Sequence, residues 1–241
     1  VAALTDITER KVAEEQIKHL AFYDPLTSLA NRRLLLDRLQ LAIASSVRNS
    51  QYCALMFVDL DNFKNINDLH GHQTGDQLLH QAAKRLNHAV RGSDTVARLG
   101  GDDFVILLEG LESHSEDAAA QVEGIAKKIL AALARPYEIG GVSLHSSASL
   151  GIVLFADGAC SAIELMKRAD LSMYEAKTAG RNTLRFFDPH MQEVVRARLH
   201  LEDEIRAGLA AGEVTAYIQP QFSEAHGLLG GEVLVRWLHP Q

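Results

Sequence analysis

The sequence predicts an α/β fold, with one central mixed sheet and helices packed against it. Apolar runs, Ala54 to Val58 and Val105 to Leu108, alternate with segments of helical period such as Leu78, Leu79, Ala82, Ala83, Leu86 and Val90. Two glycine pairs, Gly100-Gly101 and Gly140-Gly141, sit between strand-like runs and read as hairpin turns. The chain has 241 residues, 47% hydrophobic and 23% charged, which is enough for one sizeable core with additions.

Composition narrows the function classes. A net charge of -7 gives no electrostatic footprint for a nucleic-acid polymer, so an anionic ligand must be held by local Lys, Arg or metal ions. Cys53 and Cys160 form no disulfide framework and point to a reducing, cytoplasmic compartment; neither reads as catalytic. No apolar run is long enough to span a bilayer. The abrupt start at Val1 implies an upstream part, so membrane attachment of a longer parent protein stays open.

Taken in order, residues 1–23 read as a connector. Asp6 and Glu9 fit a helix start, and Val12, Ile17 and Leu20 make a narrow stripe suited to a partner helix. A helix follows the Asp24-Pro25-Leu26-Thr27 turn, carries Leu34, Leu35, Leu39, Leu41 and Ile43, and ends near Asn49-Ser50, with Asn31 and Arg32 as cap and surface groups. Ala54 to Asp61 is a strand buried on both faces that ends in acids. Burying an unpaired charge is costly, so Asp59 should face a cation, a helix N-terminus or solvent, and a metal ligand is the sharper reading; Asp61 reads as a cap over Phe63-Lys64-Asn65.

Asn67 to Asp76 is polar and glycine-punctuated, and it leads into the amphipathic helix that Gly92 is placed to stop. His70 and His72 lack the company of a metal pair and read as surface groups. Ala118 to Ala134 is a further helix, and Tyr137 to Ile139 pairs with Val142 to Phe155 through Gly140-Gly141. Ser161 to Thr178 is the last helix of this part, and Thr183 to Phe187 the last strand. Between the strand-like runs Thr95-Val96-Ala97 and Val105 to Leu108 lies Arg98-Leu99-Gly100-Gly101-Asp102-Asp103-Phe104. Its glycines let a bulky ligand approach an acidic tip; an ordinary Gly/Asp hairpin is the bland alternative.

Five ordered blocks make the chain resemble the GGDEF family of diguanylate cyclases. They are Asp24-Pro25-Leu26-Thr27, Asp59-Leu60-Asp61-Asn62-Phe63-Lys64, Asn67 through Asp76, the Gly-Gly-Asp-Asp-Phe hairpin, and Ala176 through Asn182, so the likeness covers 24–188. The resemblance implies a palm-like fold, akin to adenylyl cyclases and polymerases. It also implies condensation of two GTP into cyclic di-GMP by a dimer, a nucleotidyl transfer that depends on Mg²⁺ (or Mn²⁺). By the same resemblance Asp59 and Asp102 hold the metals with the carbonyl of Leu60, Asn67 and Asp76 select guanine, and Lys177 and Arg181 grip the terminal phosphates. Lys177 and Arg181 are four apart and share a face if the helix persists, and the amides near Phe63 and Lys64 add a helix N-terminus at the phosphate end.

One departure stands out. The family's fourth signature position, usually Glu and implied to activate the hydroxyl or hold a metal, is Asp103, about 1 Å shorter in reach. With Asp102 it forms the implied catalytic pair, and the shortening puts turnover in doubt but not GTP binding. Arg91-Gly92-Ser93-Asp94 resembles the family's RxxD product-inhibition site, with an ordinary helix-end Arg and turn Asp as the alternative.

The stretch from Leu4 to Lys11 resembles the exit of a PAS sensor domain, a solvated linker being the other reading. In 189–241 a charged helix (Met191 to Ala211) leads to Ala216 through Pro220 and Gly231 through Pro240, which resemble the start of an EAL phosphodiesterase domain with Glu232 at its first metal position. One or two barrel strands cannot make its site, so no phosphodiesterase activity is expected. A regulatory module that binds GTP or cyclic di-GMP and acts on an attached EAL domain is the alternative function, and a domain that only dimerises is a third.

Overall fold

The computed structural model describes residues 20–188, 201, 204–223 and 227–238. The connector stripe and the PAS-like stretch therefore lie outside the described residues, apart from the helical residues 20–22, as does most of 189–203. The chain divides into two compact units, 1–192 and 193–241.

The first unit is a five-stranded sheet with helices on both faces, the α/β architecture expected. Its strands are β1 (Cys53–Leu60), β2 (Thr95–Gly100), β3 (Asp103–Leu108), β6 (Ala148–Phe155) and β7 (Leu184–Phe186), in the order β2-β3-β1-β6-β7. Only the β6–β7 pair is parallel. β4 (Tyr137–Ile139) and β5 (Val142–Leu144) form a separate small hairpin. The expected single run from Val142 to Phe155 is thus two strands. His145-Ser146-Ser147 interrupts it, with Ser146 and Ser147 spending their hydroxyls on Asp61.

The helices are α1 (Arg32–Asn49), α2 (Phe63–His70), α3 (His72–Ala89), α4 (Ser115–Leu133) and α5 (Ala162–Thr178). Asn31 caps α1 as expected, its side chain accepting from the amides of Arg33 and Leu34. β1 is buried along its whole length because both faces are covered. One cluster joins Leu55 and Phe57 with Val105 and Leu107 from β3, Leu35 and Leu39 from α1, and Leu165, Met166 and Met173 from α5. Side chains alternate along a strand, so Asp59 and Asp103 continue the α1/α5 face at its open end. At Gly151 of β6 an added Cβ would collide with the backbone of Ala169 and Met173, so glycine lets α5 press onto the sheet.

Two helix ends differ from expectation. The polar stretch from Asn67 to Asp76 is helical on both sides of Gly71, whose φ of +83° breaks α2 from α3. α3 stops at Ala89, where Val90 turns extended, so Gly92 is not its cap. In the second unit, helical residues 204–211 precede an antiparallel hairpin of β8 (Val214–Ser223) and β9 (Gly227–Trp237).

Candidate active site

The site is built where β1 ends beside the β2–β3 hairpin. Asp59 lies directly opposite Asp103 in the antiparallel register, and Gly100 pairs with Asp103 so that Gly101 and Asp102 form the tip. Gly100 and Gly101 take φ of +142° and +54°, backbone that other residues adopt with strain. Asp102 at the tip and Asp103 at its base are thereby brought beside Asp59.

Like charges directly opposite one another in a sheet are unfavourable. Burial pushes the Asp59 carboxyl up to about 6, the Asp102 and Asp103 charges add to this, and a hydrogen bond from Lys177 works against it. Asp103 is raised by burial, then by Asp102 and Asp170, against Lys177. Lys177 Nζ sits 2.6 Å from Asp59 Oδ2. Its ammonium therefore meets the carboxylate in the sheet, and α5 carries it there from the residue before its last, Thr178. Beyond that end Arg181 has a φ of +62°, so the helix does not persist and the shared helical face expected for Lys177 and Arg181 is not formed. Arg181 is exposed.

A hard divalent cation fits these donors. They are oxygen only: the carboxylates of Asp59 and Asp103, whose proton affinity is raised by burial and by the neighbouring Asp102 charge, with the Leu60 carbonyl at the strand end; water and phosphate oxygens complete such a shell. Among the described residues no three His, Cys, Asp or Glu side chains form a cluster able to hold a metal on their own.

Asp61 is not a helix cap. Its carboxylate accepts from Ser147 Oγ (2.6 Å), Ser149 Oγ (2.7 Å) and the Asn182 amide (3.1 Å), clamping β1 to β6 and to the loop after α5. Asn62 precedes α2 in left-handed backbone and its side chain makes no cap bond, leaving the amides of the first turn at Phe63 and Lys64 without a side-chain acceptor. Asn67, on the last turns of α2, lies against Gly75 of α3, where an added Cβ would collide with its amide group. Its Oδ1 is buried without a hydrogen-bond partner, and Asp76, the next residue after Gly75, is exposed. Arg91 is exposed and its amide donates to Asp94 Oδ2 (2.9 Å), so the Asp94 carboxylate also ties its own turn.

Two residues carry more than the sequence reading assigned to them. Arg98 Nε and Nη2 donate to the Gly101 carbonyl (3.0 and 2.8 Å), and Nη1 donates to both oxygens of Asp24 (3.0 and 3.2 Å). Asp24 in turn accepts from the amide and hydroxyl of Thr27 (2.8 and 2.6 Å). The opening turn of the domain is thus tied to the acidic tip of the hairpin. The Asp-x-x-Thr spacing was a readable signal for the turn; the partner, 74 residues away, had none.

The family profile described as "Diguanylate cyclase, GGDEF domain" matches residues 21–183. The bifunctional diguanylate cyclase/cyclic di-GMP phosphodiesterase MucR of Pseudomonas aeruginosa is 41% identical over 95% of this chain, which spans only 33% of that protein's length. Among solved structures, the GGDEF domain of PA1120 (TpbB or YfiN) from the same organism is 35% identical, with a TM-score of 0.65, over 72% of this chain and 99% of its own. The coiled coil and GGDEF domain of DgcB from Caulobacter crescentus, solved with c-di-GMP, is 28% identical with a TM-score of 0.66, over 75% of this chain and 93% of its own.

Proposed function

The chain belongs to the GGDEF family of diguanylate cyclases, and we propose that it condenses two GTP into cyclic di-GMP as a Mg²⁺-dependent dimer. The observation that carries this reading is the buried Asp59 facing Asp103 beneath a glycine-built acidic tip. In each transfer a ribose 3′-oxygen bonds to an α-phosphorus, the bond to the β-bridging oxygen breaks, and pyrophosphate leaves with that electron pair; two transfers release two pyrophosphates.

Asp103 takes the hydroxyl proton, a role favoured by a carboxylate whose proton affinity is raised. Asp59, Asp102 and the Leu60 carbonyl would hold the divalent ion, which supplies charge neutralisation on the phosphates and polarises the hydroxyl. Asn67 Oδ1 accepts from the donor edge of guanine together with Asp76. The Phe63 and Lys64 amides, Lys177 and Arg181 hold the phosphates.

Incubation of the chain with GTP and Mg²⁺ at high protein concentration tests this, with cyclic di-GMP scored by mass. Product is expected, lost in Asp59→Ala and increased about tenfold or more in Asp103→Glu if reach limits the rate. GTP binding without product would favour instead the regulatory module acting on an attached EAL phosphodiesterase, for which β8 and β9 would be the first strands. The domain boundaries that go with either reading are 1–23, 24–188 and 189–241.

Arg91 and Asp94 are proposed as a product site, because the Arg91 guanidinium has no hydrogen-bond or ion-pair partner among the described residues. Arg91→Ala should abolish tight cyclic di-GMP binding measured by calorimetry, and unchanged binding would remove the assignment.

A further inference from the structure

A buried carboxylate that no cation balances is costly unless several donors reach it. Asp61, 2% exposed, meets only neutral donors among the described residues: Ser147 Oγ and the Asn182 amide at Oδ2, and Ser149 Oγ at Oδ1. Its own amide donates to the Ser147 carbonyl (2.9 Å), and its carbonyl accepts from Ser146 Oγ (3.0 Å). Each polar group of the residue is engaged within the fold.

The partner beyond α5 differs from the serines. Arg181 and Asn182 take φ of +62° and +45°, two successive residues in the left-handed region, a conformation that costs Arg more than Asn. Such a turn persists only where its surroundings hold it. Two hydrogen bonds hold its amides: Arg181 donates to the Ala176 carbonyl (3.2 Å) and Asn182 to Asp61 Oδ2 (3.1 Å). The first ties the turn to α5, and the second ties it to the residue that follows β1. The Arg181 guanidinium is exposed and has no hydrogen-bond or ion-pair partner among the described residues, so the backbone of the turn is what aims it.

We propose that Asp61 is a positioning residue for the terminal phosphates: by holding the Asn182 amide it fixes the strained turn, and so sets where Arg181 stands relative to Asp59 and the Leu60 carbonyl. A guanidinium grips phosphate through paired, directed donors, so its placement matters as well as its charge. One buried carboxylate thereby links the strand end that would hold the divalent ion to the loop that would hold the phosphates. This inference rests on the reading above, in the limited sense that the chain binds GTP and Arg181 meets its phosphates.

Binding, not turnover, is measured. With Mg²⁺ present, calorimetry gives the affinity for a non-hydrolysable GTP analogue and for GMP, and the ratio of the two isolates the terminal phosphates; thermal unfolding is followed in parallel. Asp61→Ala removes all three carboxylate bonds. Ser147→Ala with Ser149→Ala removes the two from the β6 side and keeps the one to Asn182. Asp61→Asn keeps an oxygen for the Asn182 amide, while a serine hydroxyl can turn to accept from the new NH₂ group.

Wild type is expected to prefer the analogue over GMP by about tenfold or more. Asp61→Ala should lose most of that preference while binding GMP within about twofold of wild type. The serine variant and Asp61→Asn should keep the preference within about twofold, the serine variant despite a lowered Tm; a role in folding alone would make the loss follow Tm and weaken both nucleotides alike. Arg181→Ala should remove the preference from wild type yet change it by less than about twofold in the Asp61→Ala background, because the two residues act as one. An Asp61→Ala chain that keeps the preference, or in which Arg181→Ala still costs its full wild-type factor, overturns the positioning role and leaves the GTP reading intact. A wild type that binds both nucleotides equally well also overturns the role, and one that binds neither overturns the GTP reading with it. Should Asp61→Ala misfold, Asp61→Ser, one bond shorter with a hydroxyl in the same buried place, is measured in its stead with the same expected loss.

Discussion

Asn67 and Gly75 form a pair in which a missing side chain positions a present one. A buried acceptor without a donor costs roughly 1–3 kcal/mol, so Asn67 Oδ1 is held there at the expense of stability and is available to a ligand. Gly75→Ala would push the amide aside, since the added carbon meets the end of a side chain rather than backbone. The expected outcome is guanine-nucleotide binding weakened about tenfold with Tm changed by no more than about 2 °C, read by calorimetry and thermal unfolding. A large loss of Tm would show that the contact is structural. That Asp59 would face a cation was legible, because an acid ending an apolar strand needs one, and Lys177 supplies it. The true task of Asp61 was not, because its partners Ser147, Ser149 and Asn182 lie 86, 88 and 121 residues away and only the folded sheet brings them in.

At the level of elements, the hairpin is placed by a strap rather than by its own turn. Ala30 pairs with Ala97 on β2, and Arg98, the next residue, bridges Asp24 to the tip carbonyl. Both members of that ion pair are largely shielded, at 11% and 14% exposure, so it is worth more than a surface pair. Burial alone would raise the Asp24 carboxyl, but hydrogen bonds from Thr27 and Arg98 outweigh it and the pKa is lowered from 3.8. A lowered folded-state value means that the fold favours the ionised form. The contribution is present above the ordinary carboxylate range and is lost as pH falls through the folded value. Asp24→Asn should therefore be less stable than wild type at pH 7, with the gap closing as the pH drops below 3.8, measured by denaturant unfolding across pH. A gap independent of pH would refute the assignment of the ion pair. Helix ends were less legible than helices: α5 was placed correctly, but the left-handed residues Arg181 and Asn182 that turn the chain toward Asp61 carry no composition signal.

For the whole molecule, alternating apolar runs and helical periods made the α/β class legible, and five spaced motifs made the palm-like fold legible. Strand order was not, because β1 is flanked by β3 and β6, strands that follow it by more than 40 residues, and such pairings are settled by long-range packing. The first unit has a complete core: a sheet covered on both faces, with its central strand fully buried. The β8–β9 hairpin of the second unit instead exposes Tyr217, Ile218, Phe222, Val233 and Val235, among others, on a two-stranded sheet. Isolated two-stranded sheets are marginal, and apolar side chains beside open strand edges invite pairing with other chains. A chain ending at Gln192 should keep the Tm of the main transition and its GTP binding, because every residue assigned to the nucleotide lies before that point. It should also scatter less light on concentration or heating. A fall in Tm of more than about 4 °C, the shift that roughly 1 kcal/mol produces in a domain of this size, would show that the second unit contributes to the stability of the first.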